Sequence, residues 1–579
     1  MMSAEAAATV DRASTGKLQR SGSSGWSLTA AGLSVACLVI FIGAPVAAIF
    51  LSSVYQDGWT IEAYRDFLSS PRLLTATWNS LLVAIGIAVL SVVIGAPLAF
   101  GVARTNMRLK RIVRATMILA LISPEFLLAM GYILMAGPNA GYANVALRAV
   151  FGMQSTAGPI DIFSLWGLVL TALPNGVAFV FLALTPALAN MDPALEEAAR
   201  LKGASALEAI RDVTLPLMRP ALLAGTLLAF ATSLAMYGPP EMLGIDVLTV
   251  SIRNALLGLD FASASVAAVV LVLLSGIALG GQRLMLRNED RYRTLGGKAF
   301  APRRIDLGWA TPLLTALAVF YVLIAFVLPY GTMIAVSLMK SIGNGFNIAN
   351  LTLDNYRVVL SDPSIRKAAL LSVSLAASAA TIVVAIGVIV SYVILRTRFA
   401  GRSALDYLSI LPLAVPGTAI AFALIVIYLN WPGNLTGIYG TPTILLVAYL
   451  ARFIPIGVRN GQTALLQISP EIEESSRVFG ATEIQTLMRI TLPLIMPVVI
   501  YTWLLVFILA IPELSASIIL RGFSTQTIST SLLSVWNGNG GLAVACAYGV
   551  CIFVSVSLLF LIAALVGRRS VLMRGFTIG

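Results

Sequence analysis

The chain has 579 residues, 58% of them hydrophobic and only 11% charged, with a net charge of +12 and no histidine. Soluble domains carry about 25% charged residues, so the composition excludes a water-soluble protein and describes a polytopic membrane protein. The missing histidine excludes histidine-based metal sites and Ser-His catalysis. The positive charge reads as basic loops under the positive-inside rule, not as nucleic-acid binding.

A bilayer leaves only helices or a closed barrel. The apolar runs are long and lack period-2 alternation, which selects helices. Residues 1–26 read as a disordered cytoplasmic tail rich in Ser, Ala and Gly. The run 27–52 reads as a first membrane helix and not a cleaved signal. Five further spans follow in the first half, at 76–103, 112–136, 164–187, 220–238 and 263–284. The basic stretch 285–310 reads as a cytoplasmic linker. The second half offers spans at 311–338, 368–395, 405–430, 441–463, 497–518 and 544–566, then a cytoplasmic tail, 567–579. The expected fold is therefore all-α, with 12 transmembrane helices in two six-helix halves, 27–284 and 311–566. Cys37, Cys546 and Cys551 all lie in apolar runs and read as packing residues.

With the N-terminus placed in the cytoplasm, 29 of the 38 Lys and Arg residues fall on the cytoplasmic side and 9 outside. That count puts Arg452 and Arg459 near a cytoplasmic helix end. Both termini are then cytoplasmic.

The chain repeats itself. "WTIEAYRDFLSSP" at 59–71 matches "LTLDNYRVVLSDP" at 351–363, an offset of 292. Arg104-Thr105 matches Arg396-Thr397 and Pro124 matches Pro416 at the same offset. Between 192–220 and 469–497 the offset is 277, with 11 of 29 positions identical. The difference of 15 residues belongs to the outer loop around 137–163. An even number of spans per repeat gives both halves the same orientation, related by an axis along the membrane normal.

The second repeat lies on the cytoplasmic side, between spans four and five of each half. Asp192-Pro193 and Ser469-Pro470 supply an N-cap and a proline at the first helical position. Glu196, Glu197, Glu473 and Glu474 follow in the first turns, where acidic residues are favourable. Gly203 and Gly480 end the helix. A second short helix is expected to run on along the membrane face to Leu215-Pro216 and Leu492-Pro493.

This passage resembles the signature loop of permease subunits of binding-protein-dependent ABC importers. That signature is Glu-Ala-Ala, a glycine after three residues, then Ile-x-Leu-Pro after nine more. The first copy reads Glu197-Ala198-Ala199, Gly203, Val213-Thr214-Leu215-Pro216, with Val for Ile. The second reads Glu474-Ser475-Ser476, Gly480, Ile490-Thr491-Leu492-Pro493, with Ser-Ser for Ala-Ala. The resemblance implies the type I importer permease fold. It also implies that each loop docks on an ABC ATPase subunit, two copies in all, and that an extracytoplasmic binding protein delivers substrate. The sequence has no G-x-x-x-x-G-K-[ST] phosphate loop. ATP and Mg are thus expected to be used by the partner, with no cofactor and no catalytic residue in this chain.

Two fused halves resemble the ferric-iron importer branch, as do "VLTVSIRNAL" at 247–256, "RYRTLGGKA" at 291–299 and "PELSASIIL" at 512–520. Permeases for 2-aminoethylphosphonate, thiamine and polyamines look similar, and the substrate stays open among them. A 6+6 secondary transporter also explains the duplication, but not the two glycine-broken loops. A membrane-embedded enzyme lacks any catalytic constellation.

Three carboxylates fall in or near spans: Glu125 after Pro124, Glu241 after Pro240 and Glu513 after Pro512. Intramembrane carboxylates face a bundle interior or an aqueous cavity. Glu241 and Glu513 correspond in the duplication at an offset of 272. Two readings stand for them: they line the translocation pathway, or they lie at the outer interface against the binding protein or water. Glu125 either shares the pathway or caps backbone freed by its proline. Hard oxygen ligands suit Fe(III), and equally an ammonium group.

Overall fold

A computed structural model describes residues 25–286, 308 and 310–567, apart from 57, 346, 431–434, 523 and 539–540. Nearly all of the two terminal tails, expected at 1–26 and 567–579, and of the linker expected at 285–310 lies outside the described residues; Gly25 and Trp26 already belong to the first helix. Regular structure among the described residues is helical. Among the described residues, ten helices are long and apolar enough to cross a membrane, or up to 12 spans if each of two bent pairs counts as one.

The first half runs α1 (Gly25–Val54), α2 (Pro71–Arg104), α3 (Lys110–Ile122), α4 (Glu125–Ala136), α5 (Leu165–Ala189), α6 (Pro193–Leu201), α7 (Ile210–Ala235), α8 (Gly238–Leu243), α9 (Leu248–Leu257) and α10 (Phe261–Gly281). The second half repeats this order: α11 (Ala310–Ser337), α12 (Pro363–Arg396), α13 (Arg402–Leu413), α14 (Gly417–Tyr428), α15 (Pro442–Leu466), α16 (Pro470–Val478), α17 (Glu483–Ala510), α18 (Ser517–Leu520), α19 (Ile528–Asn537) and α20 (Leu542–Leu565).

Local chemistry sets the boundaries. Helices α2 and α12 each start with a proline behind a capping side chain. Ser70 accepts from the Leu73 amide and Asp362 from the Ser364 amide, the latter at 2.7 Å. This arrangement satisfies orphan donors at the helix start. Helices α1 and α11 each contain one π turn, Val39–Gly43 and Leu323–Val327, shortly before Pro45 and Pro329. Proline has no N–H and crowds the carbonyl one turn back, and a widened turn absorbs that conflict.

The third span of each half is not continuous. Helices α3 and α4 meet at 108° and α13 and α14 at 110°. Pro124 is the cause in the first half, because it forces Ser123 into an extended conformation, φ −71 and ψ 127. Pro416 stands at the matching break. The expected runs 112–136 and 405–430 are therefore bent pairs. A second difference concerns the fifth spans. They start earlier than 220 and 497, because the second arm of each loop between the fourth and fifth spans continues into α7 and α17 through a π turn, Ile210–Thr214 and Leu487–Thr491. No separate surface helix lies between them.

The halves interlock. Ala30, Ile42 and Ile49 of α1 share a core cluster with Phe422 of α14 and Ile444 and Ala448 of α15. Reciprocally, Tyr330 and Met333 of α11 pack with Leu127 and Met130 of α4. Polar bonds cross the same seam. Tyr132 Oη donates to the Ile324 carbonyl at 2.9 Å and Tyr321 Oη to the Pro174 carbonyl at 3.1 Å. The Ser123 and Tyr330 hydroxyls also meet. Each half thus carries the first helix of the other on its flank.

The extra residues of the first half form a short helix, Tyr142–Phe151, in the loop after α4. Asn144 is buried there and donates to the Gly137 and Ile160 carbonyls at 2.9 and 2.7 Å. The repeat at 59–71 and 351–363 also folds alike in both halves. Tyr64 Oη meets Ser53 Oγ at 2.8 Å, and Tyr356 Oη meets Ser337 Oγ at 2.7 Å.

Candidate functional site

The two loops between the fourth and fifth spans have the same construction. Asp192 caps α6 by accepting from the Ala194 amide at 2.9 Å. Ser469 stands at the N-cap of α16 without a side-chain bond. Both helices end in a Schellman motif. The Gly203 amide reaches the Arg200 carbonyl at 2.9 Å and the Ala204 amide the Ala199 carbonyl at 3.1 Å. The Gly480 amide reaches Arg477 at 2.9 Å and the Ala481 amide reaches Ser476 at 3.2 Å. The motif needs a left-handed residue, and Gly203 and Gly480 have φ +94 and +86.

The second arms start on reciprocal caps. Ser205 and Glu208 bond each other's amides at 3.3 and 2.7 Å, and Thr482 and Gln485 do the same at 3.3 and 2.9 Å. These are capping boxes, S-x-x-E and T-x-x-Q. The Ser205 amide, helped by its hydroxyl, holds the Glu208 carboxyl below its ordinary value.

Within each loop the glutamates divide their work. Glu197 and Ala198 are exposed and Ala199 is half-buried; Glu474 and Ser476 are half-buried and Ser475 is exposed. Glu196 and Glu473, one residue earlier, are buried at 7% and 2% exposure. Each is gripped from two sides. Arg104 Nη2 lies 2.6 Å from Glu196 Oε2, and Thr214 Oγ1 donates to Glu196 Oε1 at 2.6 Å. Arg396 Nε lies 3.0 Å from Glu473 Oε2, and Thr491 Oγ1 donates to Glu473 Oε1 at 2.9 Å. Leu215 and Pro493 are exposed, while Pro216 and Leu492 are half-buried.

The loop tips are apolar and bare. Leu201 is 88% exposed in the first loop; Val478 and Phe479 are 84% and 91% exposed in the second. The Ser-Ser pair also changes the second loop. Ser475 Oγ donates to the Glu471 carbonyl at 2.8 Å, and Ser476 Oγ meets Thr486 Oγ1 at 3.1 Å, tying the two arms together. Alanine at 198 and 199 makes no such tie in the first loop.

The three carboxylates that follow prolines each have polar or charged side chains beside them. Glu241 on α8 accepts from Arg253 Nη1 of α9 at 2.7 Å, with both side chains partly exposed. Glu513 is buried and caps α18: its oxygens accept from the Ala516 amide at 2.9 Å, the Ser517 amide at 3.1 Å and Ser517 Oγ at 2.7 Å. Arg452 Nη1 of α15 stands 3.6 Å from it. Glu125 is half-buried at the start of α4, with Asn175 Nδ2 at 3.5 Å and Arg452 as an electrostatic neighbour. Its carboxylate therefore meets side chains, not the backbone freed by Pro124. Arg452 thus pairs with Glu513 of its own half and acts at longer range on Glu125 of the other. Among the described residues, no three or more His, Cys, Asp or Glu side chains are grouped to hold a metal ion.

Residues 91–288 and 383–571 each match the family of binding-protein-dependent transport system inner membrane components. The chain belongs to that family. The permease is 29% identical over 533 residues to the ferric transport system permease protein FbpB of Actinobacillus pleuropneumoniae, covering 89% of this chain and 74% of that one. It is 22% identical over 518 residues to the Fe(3+)-transport system permease protein FbpB 2 of Haemophilus influenzae, covering 86% and 91%. A crystal structure of a bacterial ABC transporter that imports alginate matches at 19% identity and a TM-score of 0.37, covering 45% of the permease and 95% of that chain.

Several residues of these sites escape a reading of the sequence. Arg104 and Arg396 stand out only as repeat matches, and Thr214 and Thr491 only as part of Val-Thr-Leu-Pro and Ile-Thr-Leu-Pro. Arg452 belongs to the carboxylate network in mid-span of α15, not to a cytoplasmic helix end. The usable signal was its position as a lone charge inside an otherwise apolar run, 441–458. Its counterpart in the first half, at the 277 offset, is Asn175.

Proposed function

We propose that this permease forms the membrane pathway of an ATP-driven importer for ferric iron in the bacterial inner membrane, with both termini cytoplasmic. The observation that carries the importer reading is the pair of matching loops. Each presents an exposed apolar tip at a Schellman glycine while its base is locked to membrane helices. An exposed Leu or Phe on a charged helix standing off a bilayer fits a socket on a soluble partner. Two such loops fit two copies of an ABC ATPase subunit, which bind ATP and Mg and perform the hydrolysis. The permease is then a channel subunit with no cofactor of its own.

Ferric iron is favoured by the FbpB relatives, which span nearly the whole permease. In the cycle, an extracytoplasmic binding protein docks on the outer face. Closure of the ATPase pair draws α6 and α16 together, and the two halves rock to admit the cargo. Each half carries the other's first helix through this motion. Glu125, Glu241 and Glu513 supply hard oxygen ligands along the way, as transient contacts for the cargo, with Arg253 and Arg452 balancing their charge between passages.

The test uses the permease, its ATPase and its binding protein in proteoliposomes. Binding protein loaded with Fe(III) is expected to stimulate ATP hydrolysis. Stimulation by protein loaded with 2-aminoethylphosphonate, thiamine or a polyamine, and none with iron, would replace the substrate and leave the importer reading intact.

A further inference from the structure

We propose that Arg104 and Arg396 are positioning residues. Each makes its docking loop, the end of the second span and the start of the fifth span into one mechanical unit. The inference rests on the reading of α6 and α16 as docking helices. Each unit has three members from three elements: Arg104, Glu196 and Thr214 in the first half, Arg396, Glu473 and Thr491 in the second. The arginine is the last residue of α2 or α12, the glutamate lies in the first turn of α6 or α16, and the threonine closes the π turn that leads into α7 or α17.

The chemistry favours geometry over stability as the purpose. A buried ion pair is a weak source of stability, because desolvation cancels most of the Coulomb gain, and apolar replacements of similar volume are often as stable. Yet all three members recur, between loops that match at only 11 of 29 positions. The π turn recurs with them. Its extra residue per turn rotates the threonine hydroxyl onto the glutamate, and such bulges are found mostly where function requires a particular side-chain direction. The glutamate holding the unit together is the residue before the Glu of the signature, which leaves Glu197 and Glu474 on the outer side.

The two units are not equal. Arg396 Nη2 also donates to the Leu465 and Ile468 carbonyls at the end of α15, both at 2.9 Å, where the Leu465 carbonyl also accepts from the Ile468 amide. Arg104 has only a 3.5 Å contact to the Met191 carbonyl. The second unit therefore binds the fourth span as well, and displacement of α16 drags α12, α15 and α17 together. Displacement of α6 leaves α5 freer to lag. Coupling is expected to depend more on the second unit than on the first.

The experiment measures uptake per ATP hydrolysed by the reconstituted full transporter. Glu473→Gln keeps the shape and removes the charge; Thr491→Val removes the hydroxyl from a side chain of nearly the same volume. Both are expected to lower uptake about tenfold while ATP hydrolysis stays within about twofold of wild type, in the range of ordinary coupling energies. Thr491→Ser, which restores the donor, is expected to restore the wild-type ratio. Glu196→Gln and Thr214→Val are expected to give the same phenotype more weakly. If Glu473→Gln fails to reach the membrane, the threonine variants decide alone. An unchanged ratio, or uptake and hydrolysis falling in step with the amount of folded protein, would overturn the proposal. Wild-type uptake that needs no ATP would instead remove the docking reading, a result the variants cannot imitate.

Discussion

Gly417 sets the position of Arg452, and replacing it tests the charge network between the halves. A Cβ at 417 would lie 2.1 Å from Arg452 Nη1 and 3.0 Å from Ser515 Cβ. Ordinary contact begins near 3.4 Å, so the guanidinium must retreat by 1.3 Å (3.4 minus 2.1) or turn aside. Any turn of the guanidinium away from Glu513 breaks an ion pair that is already 3.6 Å long. Breaking a fully buried pair costs about 3–5 kcal/mol. The Arg452 side chain is one-third exposed, 33%, and can find water, while Glu513 keeps its three bonds at the start of α18. Discounted for that, the cost is about 1–3 kcal/mol, the usual range for overpacking. The assay is a double-mutant cycle on thermal unfolding of the purified permease in detergent. Gly417→Ala lowers the midpoint. In an Arg452→Ala background only the 3.0 Å approach to Ser515 Cβ remains, and most of the further loss should vanish, a coupling of about 1–3 kcal/mol. Additive losses from the two substitutions would refute the claim that Gly417 exists to seat Arg452.

Two further outcomes follow from the same geometry. Gly203→Val and Gly480→Val meet no neighbouring atoms but must adopt φ near +90, which costs a β-branched residue about 1–2 kcal/mol or more, so the Schellman turns should open. Uptake by these variants is expected to fall while membrane abundance and ATP hydrolysis persist, read by transport and hydrolysis on the same vesicles. Glu125→Gln removes the only one of the three carboxylates without a close ion pair or a cap to maintain. It is expected to reduce the maximal uptake rate about tenfold with insertion intact, as an intramembrane contact to the cargo would; unchanged uptake kinetics would take Glu125 out of the pathway.

The duplication, the apolar segments and both glycine-broken loops were legible in the sequence. All three depend on local pattern: apolar length, repeated Pro and Gly positions, and capping residues. The capping boxes at Ser205 and Thr482 were equally local and could have been read from S-x-x-E and T-x-x-Q. The breaks before Glu125 and Gly417 were half-visible. Pro124 and Pro416 mark a disturbed helix, but whether a proline kinks a span or bends it past a right angle depends on what packs against it. The clamps on Glu196 and Glu473 were hidden for a different reason. Their partners lie many residues away in sequence, and only the packing of α2 on α5 and α7, or α12 on α15 and α17, brings them together. Arg452 was misplaced because the positive-inside rule treats every basic residue near a boundary as a loop residue. A buried glutamate and a vacant glycine position allow this arginine to stay inside the membrane.

Transport through this permease is expected to be driven by ATP hydrolysis on a partner docked at α6 and α16. The most direct measurement is iron uptake by proteoliposomes holding the permease, its ATPase and its binding protein, with ATP and the ion gradients controlled separately. Uptake that requires internal ATP and persists after the gradients are collapsed is the expected result. Uptake that continues without ATP and stops when the gradients are collapsed would contradict it and make the protein a secondary transporter.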